Sequence, residues 1–107
     1  MYGLIGKLTA KPGQRDLLQA ILLESTRAMP GCLNYIIAQD ETDADALWVT
    51  EVWNSEASHA ASLTLPAVTN AIARAGPLIV GLSNRIVTRP IGGVGLSSSL
   101  GETKIQQ

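Results

Sequence analysis

The chain predicts an α+β fold: a four-stranded antiparallel sheet with helices on one face, in the order β-α-β-β-α-β. Three observations lead there. Two strand-like runs, residues 32–39 and 46–54, flank an acidic turn over residues 40–45 and make a β-hairpin. Helix signals frame that hairpin, with a Pro30-Gly31 stop before it and a Ser55 start after it. Two further strand-like runs, residues 2–10 and 82–89, lie outside the helices.

Each element follows from local chemistry. Residues 2–10 are apolar and β-tolerant and end at Lys11-Pro12-Gly13. Gly3 and Gly6 within them mark either a close approach of another group or a bulge. Over residues 13–29, Leu17, Leu18, Ile21 and Leu22 recur at helical spacing and predict one apolar stripe ending at Pro30-Gly31. Strand two carries Leu33, Tyr35 and Ile37 on one face, and strand three carries Leu47, Val49, Glu51 and Trp53. Neither alternates cleanly with polar residues, which predicts that both faces are covered. Ser55 caps a short helix reaching about residue 63, on which Ala57, Ala60 and Ala61 form the apolar face. Pro66 suits a first helical position, and Leu65, Val68, Ile72 and Ala75 then keep helical spacing up to Gly76-Pro77. Residues 82–89 form the last strand, closed by Pro90.

This order is the ferredoxin-like pattern, with its second crossover split into two helical pieces. Helices on one side leave the other side of the sheet open and apolar, which favours burial against a second copy. A homodimer closed into an α+β barrel is therefore expected. Residues 1–93 read as one domain and residues 94–107 as a Gly/Ser-rich tail. Charges are scattered, with a formal net charge of -1, so no nucleic-acid footprint is expected. The single Cys32 excludes an internal disulfide and offers no metal cluster. No signal peptide or membrane span is apparent, and a cytoplasmic protein with no membrane partner is the expectation.

The run PGCLNYIIAQDETDADALWVTEVWNSEASHAAS resembles the antibiotic biosynthesis monooxygenase domain family, which includes YgiN-type quinol monooxygenases. Pro30, Gly31, Cys32, Tyr35, Glu51, Trp53 and Ser55 carry the resemblance, which extends from Tyr2 to about Gly93. It implies a dimeric α+β barrel and, for many members, insertion of one oxygen atom from O2 into phenolic, quinol or anthrone-like rings without metal or flavin. Other members degrade haem, using an Asn on strand one, a Trp on the helix after Glu-x-Trp and a later His. This chain has Gly6 and Ser62 at the first two positions and no later histidine, which disfavours haem. A typical member also carries His nine residues past the Trp, where this chain has Ser62.

A cofactor-free oxygenase draws electrons from a deprotonated substrate. It needs a dry aromatic-lined pocket, a base and donors for an oxygen anion. His59, the sole histidine, is the candidate base; the alternative is a solvated helix histidine. Trp53, Tyr35, Asn34, Glu51 and Ser62 are the candidate substrate-binding residues. Four of them have a structural alternative: core packing for Trp53, a half-buried structural tyrosine for Tyr35, a sheet-edge or interface contact for Asn34, and an ion pair with Arg85 or Arg89 for Glu51. The competing function is a non-catalytic dimeric module that binds a small ligand. A cavity lined by His59, Tyr35 or Trp53 favours the enzyme, and filled packing favours the module.

Overall fold

The computed structural model describes residues 1–96. Its elements are β1 (Tyr2–Ala10), α1 (Arg15–Ser25), β2 (Cys32–Gln39), β3 (Ala46–Trp53), α2 (Glu56–Ser62), α3 (Pro66–Ala75), a 3-10 turn (Gly76–Leu78) and β4 (Ile79–Thr88). The sheet runs β2-β3-β1-β4 with antiparallel neighbours throughout. This is the expected ferredoxin-like α+β fold. Ala10, Leu18, Ile21, Leu47, Ala71 and Ala75 form the core between the sheet, α1 and α3.

α1 ends at Ser25, earlier than the apolar pattern suggests. The hydroxyls of Ser25 and Thr26 both donate to the Leu22 carbonyl, at 3.3 and 2.7 Å. Such local side-chain bonds compete with continuation of the helix. The chain then reverses at Gly31, whose φ is +85°. A Cβ there would lie 2.6 Å from the Ser58 side chain, so Gly31 lets the turn close against the start of α2.

The orientation of α2 differs from the sequence expectation. Ser55 caps it, accepting from the Ser58 N–H at 3.1 Å. Ala57, Ala60 and Ala61 are exposed, and the buried residue is Ser62, with His59 half-buried. Three alanines gain little by burial, whereas the His59 ring packs on two aromatic rings. Ser62 satisfies its hydroxyl by donating to the His59 carbonyl at 2.6 Å. On α3, which starts with Pro66, Ala71 and Ala75 are buried while Ile72 is 55% exposed. The small residues let α3 pack on α1, and the larger Val68 and Ile72 face a cavity instead.

β4 begins at Ile79, ahead of the expected strand, and its pairing with β1 slips twice. One slip lies between the pairs Ile5↔Ile86 and Lys7↔Ser83, giving β4 one extra residue opposite Gly6. Asn84 takes up that bulge with φ of 55°, a left-handed conformation that asparagine tolerates. Gly3 serves the other role foreseen for these glycines, because Thr88 and Pro90 lie where its Cβ would be.

Away from the helices, Ile86, Ile5, Thr50 and Ile36 form one row across all four strands. Trp48 is on the same face, donating its indole N–H to Asp40 Oδ2 at 2.7 Å, with Lys7 Nζ 5.8 Å from its ring centroid. Of the expected tail, residues 94–96 are described, with Leu96 buried; residues 97–107 lie outside the described residues. Among the described residues no helix is long and apolar enough to cross a membrane.

Candidate active site

The pairing of β1 and β3 sets Tyr2 opposite Trp53 and Leu4 opposite Glu51; that of β2 and β3 sets Tyr35 opposite Glu51. Cross-strand partners share a face, so Tyr2, Trp53, Glu51 and Tyr35 all point toward the helices. α2 brings His59 down onto them. Its ring centroid is 5.6 Å from Tyr2 and 5.5 Å from Trp53, the latter contact edge-on at 67°.

Glu51 joins these groups electrostatically. Trp53 Nε1 donates to Glu51 Oε1 at 2.9 Å, and His59 Nε2 stands 3.9 Å from the same oxygen. The His59 and Glu51 side chains are 19% and 18% exposed, close to water yet largely enclosed. Glu51 is thus held by Trp53 and His59 rather than by Arg85 or Arg89, neither of which makes an ion pair among the described residues.

These groups sit on the wall of a cavity of about 690 Å³ between the sheet and the helices. Tyr35, Glu51, Trp53, His59 and Ser62 line it. Leu4, Leu22, Met29, Leu63, Val68 and Ile72 supply much of its apolar surface. Ile79, Leu82, Ser83 and Arg85 of β4 also line it. Burial, reinforced by the Glu51 charge, pushes the Tyr35 phenol well above its ordinary value of 10, so it remains an O–H donor.

The remaining expected residue lies elsewhere. Asn34 pairs with Val52 on the opposite face of the sheet, where its amide nitrogen would be 3.3 Å from a Cβ on Gly95. Cys32 contacts the Asn34 carbonyl at 3.6 Å, and burial raises its thiol above the ordinary value, which does not favour a reactive thiolate. Among the described residues, no three His, Cys, Asp or Glu side chains gather as metal ligands.

Residues 1–74 match the family Antibiotic biosynthesis monooxygenase. The chain belongs to the antibiotic biosynthesis monooxygenase family. A solved structure from Chloroflexus aurantiacus J-10-fl that carries this family name is 58% identical, with a TM-score of 0.87, over 89% of this chain and 97% of that one. A similarly named structure from Deinococcus radiodurans is 26% identical, with a TM-score of 0.72, over 88% and 96% of the two chains. One from Nitrosomonas europaea is 16% identical with a TM-score of 0.70 over 88% and 99%, a likeness of fold alone. No curated protein matches the chain. Family and neighbours together support a monooxygenase-like function.

Against the family pattern described above, the cavity of this antibiotic biosynthesis monooxygenase member holds both Ser62 and His59. Ser62 spends its hydroxyl on the His59 carbonyl, so the imidazole on this wall is that of His59. Two residues in or beside this site escape sequence reasoning. Tyr2 is recognisable only once β1 is registered against Trp53. Arg85 reaches the wall through a bulge that no local motif announces.

Proposed function

We propose that this chain is a cofactor-independent monooxygenase acting on quinol, phenolic or aromatic polyketide-like small molecules. The observation that carries this reading is the Trp53–Glu51–His59 cluster on the wall of a large apolar cavity. A cavity lined by His59, Tyr35 and Trp53 is what an enzyme of this kind requires, and it favours catalysis over a filled binding module.

His59 is the base. With Nε2 turned to Glu51, Nδ1 is the nitrogen for a substrate hydroxyl. Glu51 stabilises the imidazolium that forms, and Trp53 fixes the carboxylate. The deprotonated ring is electron-rich and reduces O2. One oxygen atom bonds to the ring carbon; the O–O bond then breaks and the other atom leaves as water. A quinol thus becomes a hydroxyquinone, and the substrate supplies all four electrons that O2 takes up. The Tyr35 O–H is a donor for the developing oxygen anion. The homodimer, formed by the open sheet face, and a cytoplasmic setting belong to the same proposal.

Oxygen uptake by metal-free protein with a panel of hydroquinones and anthrones tests it. The expected result is consumption of one O2 per substrate, with one labelled atom from ¹⁸O2 in the product. His59→Ala is expected to lower kcat about 10²–10⁴-fold. Ligand binding without turnover across the panel would leave the non-catalytic module standing. Activity that survives His59→Ala with its pH profile intact would remove His59 as the base.

A further inference from the structure

We propose that Arg85 makes this cavity selective for aromatic ligands bearing an anionic group, such as a ring carboxylate. The inference rests on the cavity being a ligand site and extends that reading to the chemistry of the ligand. Two cations border the cavity, Lys7 and Arg85. Lys7 is committed elsewhere, with its ammonium 3.9 Å from Asp40, 3.8 Å from Asp43 and over the Trp48 ring. The Arg85 side chain makes no ion pair or hydrogen bond among the described residues.

Its position is built by the backbone. The slip in the β1–β4 register leaves Arg85 beside Gly6, and both line the cavity. Bulges commonly re-aim a side chain near a functional site, and this one is held by Asn84 at φ 55°. A Cβ on Gly6 would meet nothing within 4 Å, so the floor next to Arg85 is open space. Arg85 is itself exposed, and exposed apolar residues share the cavity lining with it: Leu82 is 73% exposed, Ile72 55% and Leu63 48%. An arginine fork reads a planar carboxylate through two parallel hydrogen bonds. The apolar neighbours would hold the ring while Arg85 holds the anion, with the His59–Glu51 wall left for an acidic hydroxyl.

Anaerobic titration of the full chain with 1,4-dihydroxynaphthalene and 1,4-dihydroxy-2-naphthoate, read by tryptophan quenching and calorimetry, tests this without requiring turnover. The carboxylate is expected to bind about tenfold tighter, the size of one charge-assisted hydrogen-bonded contact. Arg85→Gln is expected to abolish that preference by weakening binding of the carboxylate, and Arg85→Lys to keep part of it. Equal affinity of the wild type for both ligands, binding of neither, or a preference that persists in Arg85→Gln would overturn the proposal. The wild-type comparison stands even if a variant fails to fold. A carboxylate preference without oxygen uptake would retain the anchor and reject the monooxygenase, and uptake without preference would do the reverse.

Discussion

Trp53 Nε1 and Glu51 Oε1 are joined at 2.9 Å, so a fully buried indole holds the carboxylate that faces His59. The two residues are separated by one position on β3 and share its helix-side face, which makes their register a property of a single strand. Glu51→Gln keeps an acceptor for the indole but removes the charge that stabilises an imidazolium. Its expected signature is a kcat lower by up to about 10²-fold with KM little changed and thermal stability retained. Trp53→Phe removes the donor and leaves a space, and is expected to destabilise by about 1–3 kcal/mol in urea titrations. Equal kcat in wild type and Glu51→Gln would deny the carboxylate a catalytic role.

Gly31 and Gly13 both have positive φ, +85° and +80°, but only Gly31 lacks room for a side chain. Around Gly13 a Cβ would meet nothing within 4 Å. Gly13→Ala therefore isolates the backbone term, expected near 1 kcal/mol. Gly31→Ala adds a clash with Ser58 and displaces α2, so a loss of roughly 2–4 kcal/mol is expected, together with weakened ligand binding. Chemical denaturation of the two variants side by side checks this; equal losses would mean that the Ser58 contact does not constrain α2.

Asp40 organises the turn between β2 and β3. Its carboxylate accepts from Trp48 Nε1, from the Thr42 N–H at 2.8 Å, from the Thr42 hydroxyl at 3.0 Å and from the Asp43 N–H at 2.9 Å. The Trp48 bond first, then those from Thr42, holds the group well below its ordinary value of 3.8. A depressed value in the folded state stabilises the fold above the unfolded value. That stability is lost as pH falls through 3.8 toward the folded value. The gap in stability between wild type and Asp40→Asn should thus be constant from about pH 7 to 5 and shrink below about pH 4. Denaturant midpoints at several pH values measure it, and a gap independent of pH would show that Asp40 acts only through its shape.

Much of this architecture is legible locally because its signals are local. The Ser55 cap, Pro66 at the first position of α3 and the reversal at Gly31 each act through their own backbone. The alternation of β3 likewise predicts Glu51 and Trp53 on one face. What resists reading depends on neighbours distant in sequence. α2 turns His59 inward and its alanines outward because Tyr2 and Trp53 supply the rings that His59 packs against. Asn34, by contrast, already alternates away from Tyr35 in the sequence, and the register of β2 against β3 keeps it on the other face. The sequence offers Arg85 only as an ion-pair partner for Glu51; its place beside Gly6 follows from a bulge set by pairing across two strands.

The open face makes the last prediction. Ile86, Ile5 and Ile36 lie in one row across the sheet, and Ile36 and Ile86 are 52% and 50% exposed in the single chain. A lysine at either half-exposed position should change the stability of an isolated chain by no more than about 0.5 kcal/mol. Between two sheets packed face to face, the same ammonium would be buried without a partner, at a loss of several kcal/mol. Ile36→Lys combined with Ile86→Lys is therefore expected to sediment at the mass of one chain, while the wild type sediments at twice that mass. Circular dichroism and denaturation would establish that the variant remains folded. A wild type that sediments as a single chain at tens of micromolar would remove the dimer, and with it the closed barrel, from the functional reading.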